Sequence, residues 1–224
     1  MAAKPTVLIV APHPDDETLG CGGILGIKSK AGEDIHIAVL TDGSMLFAAN
    51  HFGTETNPSP QEVSALRKKE TERAVSFLGG NIANITYFDF LDGTLSEQIE
   101  PVADRLASLI QELQPTEIYT PDPYEHHPDH VAANTIAKTA LKKANSKAKC
   151  FAYFLGLKAG MSLDDIPDEI IEVELGAFYA LKKEALTFFD LHHQVILPEQ
   201  TIPLITDNFE SYLDYVERFI IENQ

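Results

Sequence analysis

Hydrophobic positions in this chain fall into short blocks whose period changes from one block to the next. Residues 6–11 (TVLIVA) are apolar and β-branched with no polar alternation, which predicts a strand covered on both faces. The glycine-rich segment 19–32 (LGCGGILGIKSKAG) predicts a helix, and its glycines suit a backbone that lies close against a sheet. A second strand is predicted over 35–41. Val63, Leu66, Ala74, Phe77 and Leu78 recur at helical spacing over 62–78, and Gly79 and Gly80 stop that helix. The same reading gives a strand over 84–89, an amphipathic helix from Leu95 to Leu113 ended by Pro115, and a short strand over 117–120. It continues with a helix over 130–143, strands over 149–154 and 169–175, and a helix over 177–192. Aromatic and aliphatic residues of FESYLDYVERFI (209–220) predict a closing amphipathic helix over 208–222.

Alternation of this kind predicts an α/β fold, a Rossmann-like three-layer sandwich with a mostly parallel sheet and helices on both faces. With 224 residues, 44% of them hydrophobic, the chain can bury one sizeable core, and a single domain over 1–224 is expected. Ligands of such folds bind beyond the carboxyl ends of the strands. The segment 43–60 lacks periodicity and is rich in Asn, Thr, Ser and Pro, so it predicts a long surface loop of the kind found at active sites.

Charge narrows the partners. A formal net charge of −17 argues against nucleic acid, whose phosphates require clustered Lys and Arg. The basic cluster at 138–149 fits the solvated last turns of a helix, where the dipole favours cations. No apolar run reaches eighteen residues, so no integral membrane segment is expected. Cys21 and Cys150 belong to no paired motif and are expected to pack in the core, and a cytoplasmic location fits best.

Two segments concentrate chemistry. Ala11-Pro12-His13-Pro14-Asp15-Asp16-Glu17 follows the first strand, and Asp122 to His130 (DPYEHHPDH) follows the fourth. Acids and imidazoles crowded into so few positions repel one another unless a cation resolves the repulsion. Two imidazoles and one carboxylate without a thiolate suit zinc (Zn2+) in an open catalytic site, and the same set admits iron (Fe2+).

Pro-His-Pro-Asp-Asp-Glu at 12–17 together with His-Pro-Asp-His at 127–130 resembles the LmbE/PIG-L family of zinc-dependent N-deacetylases, which act on N-acetylglucosaminyl compounds. The Thr41-Asp42-Gly43 turn is similar as well. The resemblance implies that His13, Asp16 and His130 hold the metal and that Asp15 is the general base. It implies that His127 stabilises the oxyanion or protonates the amine, with Asp129 orienting it and keeping it cationic. Arg67 and Glu70 resemble a family Arg-x-x-Glu facing the sugar, while an exposed i,i+3 ion pair fits them equally well. Two residues before His127 the family often has tyrosine; this chain has Glu125, beside Tyr124, which leaves the oxyanion partner open and puts Glu125 among the candidates for substrate contact. His192, His193 and Gln194 match a family segment only loosely.

The expected activity is hydrolysis of an acetyl group from the amide nitrogen of an N-acylated small molecule, a sugar derivative by resemblance. The metal would polarise the carbonyl and Asp15 would accept a proton from the attacking water. A metal-dependent phosphoesterase and a non-catalytic metal-binding module on the same fold are the alternatives. The resemblance also points to homo-oligomers.

Overall fold

The computed structural model describes residues 4–46, 58–189, 195–197, 200–202 and 213–222, the two short segments 195–197 and 200–202 by their backbone alone. The first half runs β1 (Thr6–Ala11), α1 (Asp16–Ala31), β2 (Asp34–Thr41), α2 (Pro60–Phe77), β3 (Ile85–Phe90) and α3 (Ile99–Leu113). β4 (Glu117–Pro121), α4 (Pro128–Lys143), β5 (Lys149–Tyr153), β6 (Ile170–Glu174), α5 (Phe178–Leu186), β7 (Val195–Leu197), β8 (Gln200–Ile202) and β9 (Val216–Glu222) follow. Seven strands form one sheet in the order β3-β2-β1-β4-β5-β9-β6, and β7 and β8 pair separately. The first five pair in parallel, and β9 runs antiparallel to both neighbours.

Helices cover both faces, as the alternation predicts. α3 and α4 pack with Leu8, Val10, Leu40 and Ile118 on one face. α1, α2 and α5 pack with Val7, Ile9, Ile37 and Val39 on the other. The inferred close approach of α1 is borne out at Gly20, where a β-carbon would stand 2.2 Å from the Tyr153 ring. Tyr153 is itself fully buried and donates its hydroxyl to the Val10 carbonyl at 2.9 Å. Cys21 and Cys150 are buried free thiols. No helix among the described residues is long and apolar enough to cross a membrane.

The C-terminal expectation is overturned. Residues 216–222 form β9 rather than the end of a helix over 208–222, and 208–212 lie outside the described residues. Spacing of aromatic and aliphatic residues there was compatible with a helical face, but VERFIIE is rich in β-branched and aromatic residues. Pairing on both edges, with Cys150–Tyr153 of β5 and Ile170–Glu174 of β6, satisfies its backbone and closes a gap in the sheet that a helix would leave. The buried Glu217 carboxylate accepts hydrogen bonds from the Gly23 and Ile24 amides of α1 at 2.7 and 2.8 Å and pairs with buried Lys182 of α5 at 2.8 Å. The helix expected over 177–192 is shorter: α5 ends at Leu186.

Three helices begin earlier than periodicity implies because polar residues start them. The Ser59 side chain and Glu62 form a capping box around Pro60 at the start of α2. Asp16 is the first residue of α1, and His127 caps α4 with Pro128 in its first turn. Both chemistry-bearing segments therefore end on helix N-termini.

Candidate active site

β1 lies between β2 and β4, and the segments leaving β1 and β4 at their carboxyl ends carry the two motifs, so the crevice forms where the strand order reverses. His13 Nδ1, Asp16 Oδ2 and His130 Nε2 converge there. They stand 3.1 Å (His13 to Asp16), 3.2 Å (His13 to His130) and 3.3 Å (His130 to Asp16) apart. Donors about 2.0–2.1 Å from a tetrahedral ion stand about 3.3 Å from one another, so this triangle has the size one Zn2+ requires.

A carboxylate stands within ion-pair distance behind each imidazole. His13 Nε2 lies 3.2 Å from Asp92 Oδ1 and 3.4 Å from Asp129 Oδ2, and His130 Nδ1 lies 3.3 Å from Glu125 Oε2. A proton on the rear nitrogen leaves the front nitrogen free to ligate, the usual arrangement around metal-bound histidine. The electrostatics carry the same demand for positive charge. Burial opposes protonation of His13, yet Asp92, Asp129 and Asp16 hold its pKa well above the ordinary value. Burial likewise opposes charge on His130, but Asp16 and Glu125 raise it to about 9. Burial works against ionisation of Asp16, and the two histidines nonetheless hold it well below the carboxylate range. A divalent cation in the triangle satisfies what protons satisfy in its absence.

Asp15 sits beside this triangle in a backbone conformation that L-residues rarely adopt, with φ 137°. Burial raises its pKa to about 6, with Arg67 opposing the rise and Asp16 adding to it. The Arg67 guanidinium lies 3.1 Å from the Asp15 carboxylate and donates to the carbonyls of Gly43 (2.9 Å) and Pro14 (3.0 Å). Arg67 and Glu70 are 3% and 6% exposed, which excludes the surface ion pair that suited their spacing equally well.

His127 and Asp129 are arranged differently from expectation. Asp129 meets the His127 ring through its backbone amide, which donates to Nδ1 at 3.2 Å. Its carboxylate accepts from the Gly93 and Leu95 amides (2.8 and 3.0 Å) and reaches His13 instead. The N-cap geometry of α4 dictates this, because the ring supplies the acceptor that the helix start requires. With Nδ1 accepting, the proton of the neutral ring sits on Nε2. Burial, reinforced by His13 and His130, pushes the His127 pKa down to about 4, which favours the neutral ring. It stands edge-on to His13, ring centroids 4.9 Å apart.

Glu125 is 1% exposed and faces His130, while Tyr124 turns its hydroxyl to Asp168 at 2.7 Å. Two functional groups escaped the sequence reading. Asp92 bridges the site from the end of β3, accepting from the Met45 amide at 3.0 Å while facing His13. An acid just past the carboxyl end of a strand was the available signal. Glu17, inside the first motif, accepts from the Asp15 amide at 3.1 Å and the Thr18 hydroxyl at 2.7 Å. His192, His193 and Gln194 lie outside the described residues, as do residues 47–57 of the long loop.

Several known proteins are similar to this chain. A probable N-acetyl-alpha-D-glucosaminyl L-malate deacetylase 2 of Bacillus cereus is 30% identical over 174 residues, 75% of this chain and 76% of that protein. A diacetylchitobiose deacetylase of Thermococcus kodakarensis is 33% identical over 141 residues, 62% of this chain and 49% of that protein. The crystal structure of a conserved Thermus thermophilus protein aligns with a TM-score of 0.70 at 25% identity, covering 97% of this chain and 94% of that one. The family described as PIG-L, GlcNAc-PI de-N-acetylase, matches residues 8–141, which include both motifs, and the chain belongs to that family.

Proposed function

We propose that this protein is a metal-dependent amide hydrolase that removes the acetyl group from an N-acetylglucosamine-type substrate, with zinc as the metal. The observation that carries the reading is the triangle of His13 Nδ1, Asp16 Oδ2 and His130 Nε2, whose edges of 3.1–3.3 Å match a single small divalent ion. Relatives named as deacetylases of glucosaminyl malate and diacetylchitobiose support the substrate class. Fe2+ suits the same two-imidazole, one-carboxylate set and is the alternative metal.

When bound, the metal would polarise the amide carbonyl and acidify a water molecule. The residues of this chain supply the rest. Asp15, with a pKa lifted toward neutrality by burial, accepts a proton from the attacking water. Arg67 fixes the Asp15 carboxylate and keeps it ionised enough to serve as a base. His127, with Nδ1 engaged by the helix start, offers Nε2–H to the developing oxyanion; one positioned donor of this kind contributes about 3–4 kcal/mol. Asp92 and Asp129 orient His13. His13, Asp92 and Asp129 also converge closely enough to hold an ion, so a metal content near two per chain would favour the binuclear phosphoesterase.

The test is amine release from a panel of N-acetylated glucosamine derivatives by protein of measured metal content, with and without chelator. Release that stops on chelation and returns with Zn2+ is expected. One bound metal with no release from any member would refute the acetylglucosamine assignment, and two metals per chain with phosphoester cleavage would establish the rival.

A further inference from the structure

We propose that Glu125 is a positioning residue of the metal centre: its carboxylate locks the His130 ring so that Nε2 faces His13 and Asp16. The inference rests on the metal reading above and extends it to a position where the family motif often has tyrosine. Glu125 is 1% exposed and lies in the segment between β4 and α4. Its Oε2 stands 3.3 Å from His130 Nδ1 and accepts from the Gly156 amide at 2.7 Å. Its Oε1 accepts from the His126 amide at 2.7 Å and lies 2.6 Å from His126 Nδ1.

These contacts come from two strand ends at once. The segment following β5 is stitched to the Glu125 segment by the His126 amide donating to the Gly156 carbonyl (3.2 Å) and the Lys158 amide donating to the Tyr124 carbonyl (3.1 Å). An isolated bridge joins Glu125 and Leu157. Glycine at 156 permits this approach, since a β-carbon there would stand 2.8 Å from the His126 ring and 3.3 Å from Glu125 Oε1. The carboxylate is therefore aimed by the tertiary structure rather than by its own helix. A carboxylate partner on the outer nitrogen fixes the tautomer and raises the basicity of a ligating imidazole.

The substitution also settles a chemical role. An ionised carboxylate only accepts hydrogen bonds, so Glu125 cannot donate to an oxyanion as a tyrosine hydroxyl would. Tyr124 does not replace that donor, because its hydroxyl is given to Asp168. Within this segment the donor is His127, and Glu125 serves the metal instead.

Zinc affinity of the purified parent, Glu125→Ala and Glu125→Gln, measured by competition with a chromophoric chelator, tests this, together with the melting temperature of each metal-free form. Removing an outer-shell partner of this kind weakens metal binding about 10–100-fold. A loss of that size is expected in Glu125→Ala. A smaller one is expected in Glu125→Gln, whose amide oxygen can still face the ring; its NH2 then meets the His126 amide donor, so its metal-free melting temperature falls below the parent's while the protein stays folded. Shifted d–d absorption bands of the Co2+-loaded Glu125→Gln protein would register the altered His130 ligation. Zinc affinities of the folded variants within twofold of the parent would overturn the proposal while leaving the metal site standing. A parent that binds no zinc would overturn both.

Discussion

Glu17 is fully buried beneath the crevice, where its carboxyl accepts from the Thr18 hydroxyl at 2.7 Å and the Asp15 amide at 3.1 Å. Burial pushes its pKa from 4.5 up to about 8; the Thr18 contact restrains the rise and the charge of Asp15 adds to it. The folded chain thus binds this proton more tightly than the unfolded chain. Its contribution to stability is complete below about pH 4.5 and is lost as pH rises through about 8. A rise of that size corresponds to about 5 kcal/mol between the two ends of the window, at about 1.4 kcal/mol per pH unit. Glu17→Gln keeps the volume and never ionises, but its NH2 faces one of the two donors, which costs about 1–3 kcal/mol. The variant should be less stable than the parent by up to that amount at pH 5. The order should reverse between about pH 5 and pH 7, leaving the variant about 2–4 kcal/mol ahead at pH 9. Urea denaturation of metal-free parent and variant at pH 5, 7 and 9 measures the difference directly. A difference that is the same at pH 5 and pH 9 would refute the reasoning, because it would mean that Glu17 does not change its charge in the folded chain across that window.

Asp15→Asn should retain zinc while turnover falls about 10²–10⁴-fold, the usual contribution of a general base. His13→Ala and His130→Ala should lose the metal itself, as elemental analysis of the purified variants would show. Arg67→Ala removes the cation beside Asp15 and the donor to two buried carbonyls, so it should cost about 3–5 kcal/mol in chemical denaturation. Because Arg67 holds the Asp15 pKa down, the acid limb of the pH–rate profile should move to higher pH in any Arg67→Ala protein that remains folded. Lys182→Met leaves the Glu217 charge buried without its ammonium partner, and a loss of about 3–5 kcal/mol is expected, part of which Glu217→Gln should restore in the double variant.

The sequence by itself determined the α/β class, a mostly parallel sheet and the strand ends where the chemistry-bearing residues concentrate. Hydrophobic period and glycine or proline punctuation are local properties, and His13, Asp15, Asp16, His127 and His130 lie in two dense motifs at strand ends. What it left undecided depends on partners distant along the chain. The segment 216–222 pairs as a strand because β5 and β6 present free edges to it, which no local spacing encodes. Asp92 joins His13 across 78 intervening positions only because β3 lies two strands from β1 in the sheet. Asp129 turns to His13 because the amides of Gly93 and Leu95 receive its carboxylate. Glu125 turns to His130 because the segment after β5 closes over it. The motifs supply the groups proposed to ligate and react, whereas the packing of strand ends decides which carboxylate stands behind which imidazole, since buried charges take up the orientation in which donors from the whole fold can satisfy them.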